Sequence, residues 1–344
     1  MIRVLCWENR LPEGDRTATV RELSVEEAGT AWRDRGAHIW IDVSRPTRPE
    51  MESVARALGL HDIIVRNALA PNSRPRLEDY GHFITLALYV PRAENVSSGG
   101  APPFGMAGTG LAPLSEIDFV FSQRYLVTAH SDPVPLFDHL MDSVRAEVNV
   151  VAEGMGRVVH RVLIEVVDAY FPVLDGLIEQ VEGVQEFAFV GGEGAENGLA
   201  MLPLFRLKKG LLALRRVMSP QADALRLLAR EGVSFYQEPA PVDFQDVLDR
   251  VIRVEQTIQL NQDLLINARE SYLTRVSNEL ALATRALLVI TCVILVPLFT
   301  TAFYGMRFVA FPELGFSIGH GWAIGLIVVV DGALLFLFRY RRLA

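Results

Sequence analysis

The chain has 344 residues, half of them hydrophobic and 22% charged, with a net charge of −8 and a mean hydropathy of +0.25. That mixture fits a water-exposed region joined to a small membrane part, and the length allows two domains. The negative charge leaves no basic patch of the kind nucleic acid requires, and Cys6 and Cys292 form no ligand-spaced pair, so neither a disulfide nor a cysteine metal site is supported.

Met1 to Val20 carries Glu8, Arg10, Glu13 and Asp15 and no apolar run, so no cleavable signal peptide is expected. From Ile2 to about Asp132, β-rich runs (IRVLCW, HIWIDV, HFITLALYV, IDFVFSQRYLVTAH) alternate with helical stretches around Pro49–Leu58 and His61–Leu69. Residues 1–132 therefore read as an α/β cytosolic domain, a mixed β-sheet with helices packed on it. Within it, Ser97–Gly110 is too rich in Gly, Pro and Ala for regular structure and reads as a loop between two strands.

Residues 133–241 read as helical. Between Arg157 and Phe189, Glu165, Asp168, Asp175, Glu179, Glu182 and Glu186 recur at steps of three, four or seven, which gathers them on one helical face. A Gly-rich turn, Gly191–Gly198, leads to a return helix bearing Arg206, Lys208, Lys209, Arg215, Arg216, Arg226 and Arg230. The plain reading of this hairpin is charge complementarity between solvated helices, each exposed pair contributing about 0–1 kcal/mol. The alternative is that spare carboxylates, joined by oxygens of neighbouring copies, attract divalent cations.

Between Val242 and Val296 roughly 55 residues pass without a Gly or Pro, a helix of about 80 Å at ~1.5 Å per residue. Residues 242–303 read as a polar stalk, Asp243–Leu280, running directly into an apolar span, Ala286–Phe303. An extracytoplasmic loop (304–321), a second span (322–338) and a basic tail (339–344) complete the chain. Arg275 and Arg285 precede the first span and Arg339, Arg341 and Arg342 follow the second, whereas the loop between holds only Arg307, Glu313 and His320 near its ends. Positive-inside bias then puts both termini in the cytoplasm and the protein in the cytoplasmic membrane. A helix that crosses from cytosol into lipid without a break suggests a pore whose gate can be moved from inside.

The first span ends in Tyr304-Gly305-Met306-Arg307, followed by Phe311-Pro312-Glu313-Leu314. This resembles the CorA-type divalent-metal transporter family, whose signature at that place is Tyr-Gly-Met-Asn. Upstream, Trp40-Ile41-Asp42-Val43, Arg74 to Tyr80 (RPRLEDY), Tyr125-Leu126-Val127-Thr128, Asp168-Ala169-Tyr170-Phe171, Tyr272-Leu273 and Val276-Ser277-Asn278 match stretches usual in the family, in the usual order. The resemblance implies a homopentamer with a cytosolic funnel, whose five long helices converge on one axis and continue as the pore wall. It implies passage of hydrated Mg²⁺, Co²⁺ or Ni²⁺, with a Zn²⁺ branch, and intersubunit cytosolic metal sites that hold the pore closed. The cation is then substrate and regulator; no cofactor, no nucleic-acid partner and no enzymatic activity is expected.

In the family's register, Thr284, Leu287 (or Leu288), Thr291, Leu295, Leu298 and Ala302 face the pore. Rings of Leu can dewet and close such a path, and rings of Thr offer hydroxyl oxygens to an ion that sheds its water reluctantly. The competing reading for each is ordinary helix packing in lipid. Cytosolic metal would be sought among stalk acids such as Asp246, Asp249, Asp263 and Glu270, which equally read as a solvated helix face. Val65-Arg66 stands where the family often has an acidic pair.

Two residues depart from the pattern. Arg307 replaces the family's Asn, and a guanidinium has donors only, whereas metal-bound water needs acceptors. A divalent ion about 8 Å from each of five Arg meets roughly 5 kcal/mol in bulk water, cut to about 2 by salt at one Debye length. Asp331 lies mid-way along the second span, where an ionisable group is expensive. It either bonds a neighbouring hydroxyl such as Thr291, pairs with a basic group near a helix end, or relays protons. Transport of a divalent cation, Mg²⁺ first, is the leading reading. The alternative is a diverged member with altered selectivity, for an anion or proton-coupled Zn²⁺, or a poorly conducting sensor or interaction protein. No Gly-x-x-x-x-Gly-Lys loop suggests ATP use, and His38, His61, His82, His130, His160 and His320 show no His-Glu-x-x-His spacing.

Overall fold

The computed structural model describes residues 1–8, 19–33, 37–69, 74–91, 114–147, 150–151, 153–190, 201–230, 244–305 and 319–340. The expected loop at Ser97–Gly110 and turn at Gly191–Gly198 lie outside these. The chain divides into two compact units, Met1–Asn267 and Ala268–Ala344.

The first unit is built on seven strands: β1 (Ile2–Glu8), β2 (Thr19–Glu22), β3 (Ala37–Ser44), β4 (Arg76–Asp79), β5 (Ile84–Pro91), β6 (Leu114–Phe121) and β7 (Tyr125–His130). They form one mixed sheet in the order β2-β1-β3-β7-β6-β5-β4. Every pairing is antiparallel except β3 with β7, which joins two antiparallel meanders along one parallel seam. The run IDFVFSQRYLVTAH proves to be a hairpin, turned where the Ser122 amide donates to the Tyr125 carbonyl at 2.9 Å. Strands β3, β5 and β7 are buried on nearly every residue, as central strands covered on both faces must be.

On one face lie α1 (Val25–Arg33), α2 (Arg48–Leu58) and α3 (Asp62–Leu69), which close a core of Ile39, Ile41, Val43, Met51, Val54, Ile64 and Val127. Helix α2 starts at a capping box: the Glu50 carboxylate accepts from the Thr47 amide at 3.0 Å and hydroxyl at 2.7 Å. It stops at Gly59, whose φ of 68° suits a residue without Cβ. On the other face, α4 (Pro135–Ala146) brings Phe137 against Phe119 and His130.

The run from Arg157 to Phe189 is two helices, α5 (Met155–Asp168) and α6 (Phe171–Val190), broken at Ala169-Tyr170. The break has a use. Edge strand β4 covers only Ile84–Ala87 of β5, and beyond it the Tyr89 backbone is paired by side chains instead. The Tyr170 hydroxyl donates to the Tyr89 carbonyl at 2.7 Å, and the Tyr89 amide donates to Gln221 Oε1 at 2.7 Å, from α7 (Met201–Ala229). Gln221 Nε2 closes the triangle by donating to the Tyr170 hydroxyl at 3.0 Å.

Helix α8 runs unbroken from Gln245 to Gly305, about 90 Å at the helical rise. In the first unit it buries Val247, Val251, Val254, Ile258, Asn261 and Leu265, alternating steps of four and three. Helices α6 and α7 hold it there: Gln185 Nε2 donates to the Leu264 carbonyl at 3.2 Å and Arg215 to Gln262 Oε1 at 3.1 Å. Helix α9 (Gly319–Tyr340) follows.

Tyr170 is fully buried, so Tyr170→Phe strands the Tyr89 carbonyl and a Gln221 N–H together. We expect a loss of about 1–3 kcal/mol of unfolding free energy, read by denaturant titration of the purified protein, with the isolated Gln221→Leu change costing a similar amount.

Candidate ion path and stalk charge sites

The apolar turns of α8 carry a seam left uncovered among the described residues. Leu273, Ser277, Leu280, Thr284, Leu287, Thr291, Ile294 and Leu298 are all exposed, and their spacing alternates four and three without exception. A strict 3.5-residue repeat is what keeps one stripe aimed at partner helices around a common axis. Four of the residues picked from the sequence, Thr284, Leu287, Thr291 and Leu298, fall on this seam; Leu295 and Ala302, both exposed, flank it one residue beyond Ile294 and Thr301. Leu280 and Ile294, also exposed on this seam, were not among those residues. The signal that finds them is the seven-residue recurrence of Leu273, Leu280, Leu287 and Ile294.

The hydroxyls on the seam are preset. Thr284 Oγ1 donates to the Leu280 carbonyl and Thr291 Oγ1 to the Leu287 carbonyl, each at 2.7 Å. With the single donor spent inside the helix, the oxygen keeps its lone pairs for a donor outside, which suits metal-bound water. The opposite side of the span is the half-buried one, with Val289, Cys292, Val293, Val296 and Pro297. Pro297 has no N–H, so the Val293 carbonyl four residues earlier loses its rung.

Helix α8 has the length and apolarity to cross a bilayer; in α9 the apolar stretch Ile324–Leu337 is shorter. On α9 the half-buried positions are Ile327, Asp331 and Leu334, one face at steps of four and three. Asp331 Oδ1 is buried and has no hydrogen-bond partner, and the Thr291 hydroxyl is given to its own helix. Tyr304 and Gly305 end α8, whereas Met306 and Arg307 lie outside the described residues.

Along α8, the stalk acids do not gather. Asp246, Asp249, Asp263 and Glu270 are strung along one helix over about 36 Å, and among the described residues no three Asp, Glu, His or Cys side chains meet to hold a metal. Asp246 has a partner within its own chain: His160 Nε2 lies 2.7 Å from its Oδ1, with the imidazole 8% exposed. One turn on, Arg250 pairs with Asp168. These two contacts tie α5 to the base of α8. The charges of α5 and α7 thus reach the stalk: Arg226 contacts Glu255 at 3.6 Å as well as Asp223 at 2.6 Å, and Glu165 pairs with Arg161 on its own helix.

A second polar cluster is sealed in the sheet across the parallel seam. Trp40 Nε1 donates to Thr128 Oγ1 at 3.2 Å, Thr128 Oγ1 donates to Asp42 Oδ1 at 2.5 Å, and His130 Nε2 stands 3.3 Å from Asp42 Oδ2. Trp40 and Asp42 belong to the motif WIDV and Thr128 to YLVT, with His130 two residues beyond it. Buried and mutually satisfied, they fix the register of β3 on β7 rather than meet a ligand.

Comparison with known proteins agrees along nearly the whole chain. A family model described as CorA-like Mg²⁺ transporter protein matches residues 35–342. The chain is 22% identical over 318 residues to YfjQ of Bacillus subtilis, a candidate metal ion transporter, covering 92% of this chain and 91% of that protein. It is 19% identical over 322 residues to the cobalt/magnesium transport protein CorA of Thermotoga maritima, covering 92% and 86%. The complete structure of the CorA magnesium transporter of Methanocaldococcus jannaschii superposes with a TM-score of 0.72 at 17% identity, over 98% of this chain and 97% of that one.

The His160–Asp246 contact is open to a double-mutant cycle. With His160→Ala, Asp246→Ala and the double change, thermal unfolding should give a coupling of about 1 kcal/mol, since one partner is buried and the other half-exposed.

Proposed function

We propose that this chain, which belongs to the CorA-like Mg²⁺ transporter family, is a gated channel that carries a divalent metal cation across the cytoplasmic membrane. Mg²⁺ is the first candidate, with Co²⁺, Ni²⁺ and Zn²⁺ as further cargo. The observation that carries this reading is the exposed seam Leu273–Leu298, which is apolar and hydroxylated by turns and repeats every 3.5 residues. Five copies around that seam form a homopentamer with a water-filled axis. Leu280, Leu287 and Leu298 make the narrow dewetting rings, and Thr284 and Thr291 present oxygen acceptors to the ion's hydration shell. Both termini face the cytoplasm, and the membrane potential drives import with about 4.6 kcal/mol per 100 mV for a double charge.

Stalk and gate are one helix, so a shift at its base acts on the Leu rings without a joint between. The contacts His160–Asp246 and Asp168–Arg250 are the cytosolic grip on that base. Asp246 is held through its Oδ1 by an imidazole of its own chain, and with Asp249, Asp263 and Glu270 it is a weak regulatory candidate, acting with neighbouring copies. Tyr304, Gly305 and Met306 shape the outer mouth, and Arg307 slows arriving cations there. Asp331, on the half-buried face of α9, is the polar or proton relay of the second span.

Two measurements test this. In proteoliposomes with a Mg²⁺-sensitive dye inside, the native chain should conduct, and Arg307→Asn should conduct faster by up to about thirtyfold, the equivalent of about 2 kcal/mol. Flux in neither sample would refute divalent transport; flux in the variant alone would make the native chain a sensor, and chloride current would make it an anion pathway. Cysteines placed at Leu280 or Leu287 should cross-link between copies, whereas one at Val289 should not.

A further inference from the structure

The face of the sheet under α2 and α3 holds a small, mainly apolar hollow with Asp118 and Thr85 on its wall, which transport does not use. Strand pairing sets Arg76, Ala87, Asp118 and Ala129 in one row across four strands, with Thr85 one step along β5. The alanines on either side of Asp118 leave space that longer side chains would fill. The result is a cavity of about 10 Å³, lined also by Met51, Asn67 and Ala68, room for roughly one water. Thr85 is 9% exposed and its Oγ1 has no hydrogen-bond partner. Arg76, the nearest cation, is turned to Glu78, with 3.3 Å between Nε and Oε1.

The other charges around Asp118 do not help it. Glu116, two residues away on the same face of β6, is a like charge, and its own contact is the Tyr89 hydroxyl at 3.4 Å. From α2 and α3 the lining residues are Met51, Ile64, Asn67 and Ala68, and from β7 Val127 and Ala129, none of them ionisable. A carboxyl in such a place is uncharged when it carries a proton and expensive when it does not.

We propose that this hollow is a proton-binding site, in which Asp118 takes up a proton and one water bridges its carboxyl to Thr85 Oγ1, so that the sheet responds to the pH of the compartment that bathes it. Burial first, and the Glu116 charge second, push the Asp118 carboxyl up to about 7, against the opposing pull of Arg76. The folded chain then binds one proton more than the unfolded chain between about pH 4 and pH 7. Stability contributed in this way is full below the unfolded value, falls as pH rises through the window, and is lost above it. Arg76, the cation that faces Asp118 in this row, lies on β4, the edge strand on which α7 rests, and α7 contacts the stalk through Arg226 and Glu255. That the compartment is the cytosol rests on the topology proposed above; the site itself does not.

The test uses the full-length protein in detergent. Infrared spectra recorded from pH 5 to pH 9 should show a protonated-carboxyl band that disappears near neutrality in the native chain and is missing in Asp118→Asn. Over the same range the thermal midpoint should decline in the native chain and stay level in Asp118→Asn. Thr85→Val, which removes one partner of the bridging water, should move the native transition to higher pH. Identical pH profiles for native and Asp118→Asn would overturn the proposal, and so would an unmoved transition in Thr85→Val if the Asn variant fails to fold. Neither readout depends on ion flux, so its failure is separable from failure of the transport reading.

Discussion

Everything in this protein hangs on one backbone hydrogen-bond ladder that runs from Gln245 to Gly305. A helix satisfies its amides and carbonyls internally, so it is the one element that can leave water and enter hydrocarbon without changing its fold. Along α8 only the side chains change, from polar turns to apolar ones. Over the first turns the residues at the four-three spacing are Val247, Val251, Val254, Ile258 and Leu265, and they are buried in the first unit. Over the later turns Leu280, Leu287 and Ile294 keep the same spacing and are exposed. One period thus serves two cores, the first made within a chain and the second, in the proposed assembly, between chains.

The polar groups divide by the same logic. At the base of α8 they are paired with groups on other helices: Asp246 with His160, Arg250 with Asp168, Glu255 with Arg226. Such pairs are modest one by one, yet they fix the angle and depth at which the stalk departs. Within the span the polar groups turn inward to the helix, as the hydroxyls of Thr284, Thr291, Thr300 and Thr301 all return to carbonyls three or four residues back. The helix stays intact while its surface keeps acceptors.

Much of this was legible in the sequence. The β-rich runs and the helical stretches around Pro49–Leu58 and His61–Leu69 correspond to β1, β3, β5, β6, β7, α2 and α3, because each rests on local pattern, whereas the caps of α2, a Thr-x-x-Glu box and the glycine at its stop, were not read. The seam order β3-β7 was not readable, since it depends on contacts 86 residues apart, such as Thr128 with Asp42. The break between α5 and α6 was missed although Pro172 marks it: its ring has no N–H for the Asp168 carbonyl and crowds it, so the first helix stops there, and Tyr170 at the break gives its hydroxyl to the Tyr89 carbonyl. The family motifs identified the chain, but their side chains are mostly pins of the fold. Of the candidate pore residues, those at Thr284, Leu287, Thr291 and Leu298 share the exposed seam, and Asp246 had a partner that no spacing rule could announce.

The single parallel seam between two antiparallel meanders dictates how the sheet comes into being. Hairpins β1-β2 and β6-β7 close over short distances and can condense early, each from its own neighbourhood of the chain. The junction of β3 with β7 must wait for a loop of some eighty residues to be gathered in, and its entropic toll is met only when Trp40, Asp42, Thr128 and His130 lock together. During synthesis, therefore, the amino-terminal meander stands with an open flank until the ribosome has released His130. The sealed polar cluster is the last bolt of the sheet and the place where its assembly is most easily spoiled.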